Sequence, residues 1–268
     1  MKTFKKYLSL YWMMFKTSLI SDLEYRANFI TRVFTDIFWY LSQILMFEAI
    51  YQHVNKVGSF GILETRVFLG LVFVIDAFYM IFIHENIENL PTKVSKGDLD
   101  LQLVKPVNSQ FMLSLQKANT AIFSNLILGI AWLTYALFGY YQQFDWHVMV
   151  RILSLLIYIP CGVCIVYSFR ILFAMTSIVF VKSESLQYLW WNFYRLGMRP
   201  DSMYIPWMRM ILLTFIPMSV IVSVPARIVL GIADGWMFFI PIGISLILLL
   251  ISKVFWDFSL KRYSSASS

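Results

Sequence analysis

Few residue pairs in this chain are placed for bond-making chemistry. Cys161 and Cys164 form a C-x-x-C inside Tyr158-Ile159-Pro160-Cys161-Gly162-Val163-Cys164-Ile165. That spacing serves a redox dithiol when a neighbouring cation lowers a thiol pKa. Nothing electropositive flanks this pair, so small residues that let membrane helices pack account for it better. His84 and Glu88 stand four apart, a spacing that can co-ligate a metal, but the H-E-x-x-H that would complete the site is absent. A solvated helix end is the simpler reading of that pair. His53 and His147 fall in other connections, and Ser59 has no histidine at a nucleophile's spacing. No glycine is followed by lysine, so the chain has no G-x-x-x-x-G-K-[ST] phosphate loop, and it has no G-x-G-x-x-G. No enzyme is expected here, and no cofactor or metal bound by the chain itself.

The remaining polar chemistry lies inside apolar runs. Arg32, Asp36 and Gln43 are spaced by four and seven, which sets them on one helix face. A polar stripe of that kind faces protein or a cavity rather than lipid. Asp76 sits near the middle of a second apolar run, where a charge costs about 2.5–3.5 kcal/mol on insertion scales. Arg170 is the one basic residue well inside a run. An Asp76–Arg170 pair suggests itself, but their depths match poorly, and a structural hydrogen bond suits Asp76 better. An ion-coupled secondary transporter using Asp76 as its proton or cation site is nevertheless a function class that the sequence admits.

The densest polarity is an island at 93–106, Lys93-Val94-Ser95-Lys96-Gly97-Asp98-Leu99-Asp100-Leu101-Gln102-Leu103-Val104-Lys105-Pro106. Ser95 and Asp98 have capping-box spacing, and Pro106 disfavours helix at Lys105. A helix of two to three turns fits between them, with Leu99 and Leu103 on one face as a docking surface. The alternation of Leu99, Leu101 and Leu103 reads equally as a short strand, and an ordinary solvated loop is the plainest alternative. An unpaired strand at a membrane surface favours the helix, and the leucines favour a docking role.

The elements that position these groups are membrane spans. The 268 residues are 59% hydrophobic and 14% charged, well under the roughly 25% charge of an average soluble domain. Apolar runs fill roughly 33–51, 67–83, 118–141, 152–181, 207–232 and 236–255, each near the ~20 residues a spanning helix needs. Six spans make a single all-α polytopic membrane domain over residues 1–268. Its basic residues are unevenly distributed. With the N-terminus inside, Lys2, Lys5, Lys6, Lys16, Arg26 and Arg32 are cytoplasmic. So are Lys93, Lys96, Lys105, Lys117, Lys182, Arg195, Arg199, Arg209, Lys253, Lys261 and Arg262. Only Lys56, Arg66, Arg151 and Arg227 fall outside. The net charge of +7 therefore reports topology by the positive-inside rule, with both termini cytoplasmic, and does not call for nucleic acid. The connection 182–206, with Trp190, Trp191, Tyr194 and Tyr204 beside its basic residues, suits the cytoplasmic headgroup level. Residues 1–22 repeat Phe4, Leu8, Tyr11, Phe15 and Leu19 at helical spacing, which predicts an amphipathic helix lying on the inner surface. Pro160 predicts a kink in the fourth run. Pro217 and Pro225 predict that the fifth is broken or re-entrant.

With these elements in place, the chain resembles the ABC-2 family of transporter permeases. The resemblance is greatest to a subgroup whose cytoplasmic loop reads Gly-x-Leu-Asp-x-x-Leu-x-[Lys/Arg]-Pro-Val, here Gly97-Asp98-Leu99-Asp100-Leu101-Gln102-Leu103-Val104-Lys105-Pro106-Val107. The amphipathic start, Val224-Pro225-Ala226 and the 262–268 tail agree with it. The resemblance implies a permease forming the translocation pathway of an ABC exporter in a bacterial plasma (inner) membrane. It would pair with a second permease subunit, identical or paralogous, and bind two separate ATP-binding subunits that hold the ATP and Mg. The short helix between spans two and three would be the coupling helix, with Gly97, Asp98, Leu99, Asp100, Leu103, Lys105 and Pro106 at the ATPase contact. The N-terminal helix would make a second contact.

Overall fold

The computed structural model describes residues 2–179 and 184–263. Lys182 and the 264–268 tail lie outside the described residues. All the regular elements described are helical, with one isolated bridge between Val57 and Phe60. In chain order the helices are α1 (Lys2–Glu24), α2 (Arg26–Tyr51), α3 (Ile62–Tyr79), a π turn (Met80–His84), α4 (Glu85–Glu88), α5 (Leu90–Lys96), α6 (Asp98–Leu103) and α7 (Ser109–Leu115). They continue with α8 (Phe123–Tyr140), α9 (Trp146–Leu153), α10 (Leu155–Val179), α11 (Glu184–Gly197), α12 (Pro206–Thr214), α13 (Ser219–Leu230) and α14 (Ile240–Lys261).

Among the described residues five helical stretches are long and apolar enough to cross a bilayer, Arg26–Tyr51, Ile62–Lys96, Thr120–Tyr140, Trp146–Ile178 and Gly235–Lys261, and a sixth is added if the bent pair Pro206–Thr214 and Ser219–Leu230 is one span. The second is the most deeply buried and forms the axis around which the others pack. Its closest neighbour is α8, and glycine sets that approach. A Cβ on Gly70 would lie 2.7 Å from the Leu133 Cα, while one on Gly129 would lie 3.1 Å from the Phe73 Cβ. Gly70→Val must therefore push the two backbones apart, at an overpacking cost of about 1–3 kcal/mol. A lowered unfolding midpoint in detergent is the expected result. Gly139→Ala, on the same α8 but with open space around it, should leave the midpoint unchanged.

The fifth run, expected over residues 207–232 and broken or re-entrant at its prolines, is broken. α12 and α13 meet at a bend of 98° across a break that contains Pro217, so α12 adds almost nothing along the α13 axis. The missing half is α11. Its Trp190 and Tyr194 are fully buried against α3 and α10 rather than lying at the headgroups. Its end abuts the start of α13, where a Cβ on Gly197 would lie 2.9 Å from the Met218 carbonyl oxygen. The 14 residues of α11 and the 12 of α13 rise about 21 and 18 Å, enough together for a hydrocarbon core of about 30 Å. Residues 198–218 form an excursion from this broken span. It reaches the outer end, where the Ser202 hydroxyl donates to the Val57 carbonyl at 3.1 Å. Arg209 is thus at the outer end beside Asp201, not in the cytoplasm, and Arg195 and Arg199 line a cavity within the bundle.

Pro225 does not break its helix: α13 runs through it. Proline removes the donor that the Ile221 carbonyl would otherwise receive, and α10 closes over that carbonyl at Gly162, whose Cβ would come within 2.9 Å of it. Pro160 likewise lies inside α10, and the discontinuity of the fourth run falls earlier, at Ser154 between α9 and α10.

Candidate functional site

The island folds as two helices joined at a sharp elbow. Gly97, with φ +76°, ends α5 and begins α6 in the left-handed conformation that glycine alone adopts cheaply. Helix α6 therefore starts at Asp98, and Ser95 is not its cap: its hydroxyl bonds back to the Thr92 carbonyl within α5. Asp98 and Asp100 occupy the first turn of α6, where the helix dipole favours acids. The strand alternative is not realised. The helical period turns the leucines differently from the face expected of Leu99 and Leu103. Leu99 is wholly buried in the main core and Leu103 packs partly against it. The exposed apolar pair is Leu101, 67% exposed, and Val104, 80% exposed. Three residues apart, they share the outward face, flanked by Lys105 and Pro106.

Two long helices and the chain's C-terminal region brace this elbow. From α1, the Lys6 ammonium reaches the Pro106 carbonyl at 3.4 Å and the Tyr7 hydroxyl accepts from the Asn108 N–H at 3.0 Å. Tyr7 also packs edge-on to Phe111. Further along α1, the Ser18 hydroxyl accepts from Ala118 N–H and Asp22 from the N–H and hydroxyl of Thr120. The face expected to bind lipid is divided: Tyr11 and Phe15 pack on Phe82 and Phe123, while Phe4, Leu8 and Leu19 stay exposed. From α14, the Trp256 indole donates to the Ser109 hydroxyl at 3.3 Å. Beyond α14, burial and then the Asp100 carboxylate hold the Tyr263 phenol above its ordinary pKa.

The elbow is also tied to the spans. Asn86 on α4 clasps residue 117 reciprocally, its amide donating to the Lys117 carbonyl and its oxygen accepting from the Lys117 N–H. The π turn frees the Ile81 carbonyl, which accepts from Asn119 N–H at 2.9 Å. Two residues beyond Asn86, Glu88 pairs with Arg170 of α10, and Arg170 also donates to Gln187 of α11. The guanidinium is fully buried and stacks 5.9 Å from the Trp190 ring. His84, read from the sequence as part of a solvated helix end, packs on Trp191. Among the described residues no group of three His, Cys, Asp or Glu side chains could hold a metal.

The intramembrane candidates separate by depth. Asp76 does not pair with Arg170. Its two carboxylate oxygens accept from the hydroxyls of Tyr40, at 3.0 Å, and Tyr194, at 2.6 Å, joining α2, α3 and α11. Asp36, Gln43 and Asp76 all border one cavity of about 960 Å³ between these three helices, with Trp191, Arg195 and Arg199 on its far wall. Arg170 is not among its lining residues.

A family model described as ABC-2 family transporter protein matches residues 37–267. The chain belongs to the ABC-2 family. No curated protein and no solved structure matches it. As an ABC-2 permease it is an integral, multi-pass component of an ABC transporter and not itself an enzyme. The match begins at residue 37, so α1 and the first 11 of the 26 residues of α2 lie outside it, although α1 makes several of the contacts to the elbow.

Sequence reasoning missed Glu88 and α11 in this ABC-2 chain. Glu88 carried a signal, since an acid near the inner end of an apolar run needs a partner and Arg170 was the free intramembrane cation. The bonding of Asp76 makes a prediction of its own. Asparagine can still meet both tyrosine hydroxyls, so Asp76→Asn should change ATP-dependent transport less than about twofold. A carrier that protonates this carboxylate would lose its transport entirely.

Proposed function

We propose that this ABC-2 chain is the membrane permease of an ATP-driven exporter whose ATP hydrolysis belongs to separate ATP-binding subunits seated against α6. The observation that carries this reading is the exposed Leu101–Val104 pair on a helix otherwise anchored in the core. An apolar face held rigidly in water, beside lysines and at the lysine-rich end of the bundle, suits a groove on a soluble partner. The anchoring suits force transmission. Displacing α6 moves Leu99 with α5 and α4, and Glu88 then carries the load to α10 and α11 through Arg170. Helix α11 borders the 960 Å³ cavity, so the same movement alters the proposed route for substrate. Asp36 and Gln43 from α2 supply its polar wall.

Two permease chains, identical or paralogous, would share two ATP-binding subunits. Helix α2, which is little covered by its own chain, offers the surface for the second copy. A bacterial plasma membrane is the expected location. The reading is tested by reconstituting the chain with its cognate ATP-binding subunit in vesicles. Stimulation of ATP hydrolysis by the permease, and substrate movement that needs ATP and persists when ion gradients are collapsed, are the expected results. Transport driven by an ion gradient without nucleotide would overturn it.

A further inference from the structure

The outer end of the bundle holds a second cavity, of about 660 Å³, between α12, α13 and α14. Its walls are apolar, with Met210, Leu213, Val224, Ile240 and Ile244 among them, and among the described residues no carboxylate lines it. Two guanidiniums do, Arg209 and Arg227. Both pair with the single carboxylate of Asp201, at 2.8 and 2.6 Å. Asp201 is wholly buried, with its backbone N–H on the Ser223 hydroxyl, and cannot serve further cations. Two positive charges against one negative leave one in surplus beside an apolar slot. Arg227 is almost fully buried, whereas the Arg209 side chain is 40% exposed, so the surplus lies at Arg209, facing the opening.

An unbalanced cation against apolar walls is costly unless an anion joins it. The depth of the site fits a lipid. Trp207 and Trp236 are exposed around the cleft, as aromatic residues are at headgroup level, and guanidinium groups favour phosphate oxygens. Basic pockets between membrane helices on the cytoplasmic side take anionic headgroups, and the same charge pairing suits an outer-leaflet headgroup here. We propose that this cleft binds one anionic phospholipid of the outer leaflet, its phosphate at Arg209 and an acyl chain along Leu213, Ile240 and Ile244. The site is independent of the coupling elbow and makes the broken fifth span a lipid-contacting element.

The experiment is native mass spectrometry of the purified protein offered equal amounts of phosphatidylglycerol and phosphatidylcholine with identical acyl chains. The native chain should retain one phosphatidylglycerol with at least about tenfold preference. Arg209→Gln removes the surplus charge while leaving Asp201 its partner Arg227, so the fold is kept and the preference should fall to near parity. Gly243 lines the same cleft and has open space where its Cβ would stand. Gly243→Phe should fill the slot and lower retention of both lipids. Equal retention of the two lipids by the native chain would overturn the proposal, as would an unchanged preference in Arg209→Gln or full retention in Gly243→Phe. Displacement of the lipid by millimolar glycerol phosphate alone would also overturn it, showing an anion site without an acyl slot.

Discussion

Leu101→Asp is expected to separate the permease from its ATP-binding subunit while leaving the permease folded. Leu101 is 67% exposed, so an aspartate there meets water in the isolated chain and costs the fold little. In the assembled transporter the same position would be covered. Losing a buried leucine forfeits about 2 kcal/mol, and enclosing a carboxylate in an apolar groove costs at least as much. Together they should weaken the association by more than about a hundredfold and abolish stimulated ATP hydrolysis. Val104→Asp should act in the same direction. Leu99→Asp should behave quite differently, because Leu99 is wholly buried and its replacement would enclose an unpaired carboxylate in the core. That variant should aggregate on extraction. Size-exclusion profiles and co-elution with the ATPase measure the two effects separately. If Leu101→Asp remained bound and fully active, the coupling surface would have to be sought elsewhere.

Glu88→Leu should be the most damaging single change within the spans. It strands the Arg170 guanidinium, which is fully buried, and breaking a buried pair from one side costs about 3–5 kcal/mol. The lower end applies here because the Glu88 side chain is 37% exposed and Gln187 still accepts from the arginine. Adding Arg170→Met should restore most of the lost stability, since apolar replacement of a whole buried pair is commonly neutral or better. Transport should not return with it. In the double variant α10 and α11 keep the Gln187 amide on the Phe173 carbonyl at 3.3 Å, but the bonded path from the elbow through Glu88 is gone. Unfolding midpoints and ATP-dependent transport, measured on both singles and the double, distinguish a structural ion pair from one that transmits force. Recovery of both together would show that the pair is structural only.

The parts of the architecture legible from the amino acids were those governed by lipid. Apolar runs at 33–51, 67–83, 118–141, 152–181 and 236–255 correspond to α2, α3, α8, α9 with α10, and α14, because a helix that meets lipid or is enclosed by other spans is apolar over its whole length. Pro217 marked a break that the structure contains. The fifth crossing was not legible, for the same physical reason. Glu184, Gln187, Asn192 and Arg195 keep α11 from looking like a span; Gln187 and Arg195 line the cavity and Asn192 accepts from Arg195. One face of α11 packs on the bundle through Trp190, Tyr194 and Gly197, while Tyr188, Leu189, Asn192 and Arg195 are exposed, so its sequence mixes the two characters. At the elbow, Gly97 and the density of charge located the site, but the facing of its leucines depended on where α6 began. A start at Asp98 sends Leu99 inward and Leu101 outward. Moving the start to Ser95 changes that assignment, and local pattern does not contain the φ of Gly97 that decides it.

The polarity of α11 also constrains how the protein is made. A segment with arginine and several amides partitions poorly into bilayer by itself, at a penalty of about 2.5–3.5 kcal/mol for a central arginine. The partners of its buried polar side chains, Asp76 for Tyr194 and Arg170 for Gln187, precede it in the chain. Ribosomal synthesis therefore delivers α3 and α10 to the membrane before α11 leaves the exit tunnel. Helix α11 can then be drawn in against a prepared protein wall instead of entering lipid unaided. A translocating machine that holds α3 and α10 nearby until residue 197 emerges would favour correct topology. One that released them early would leave α11 stranded at the inner surface and invert everything that follows.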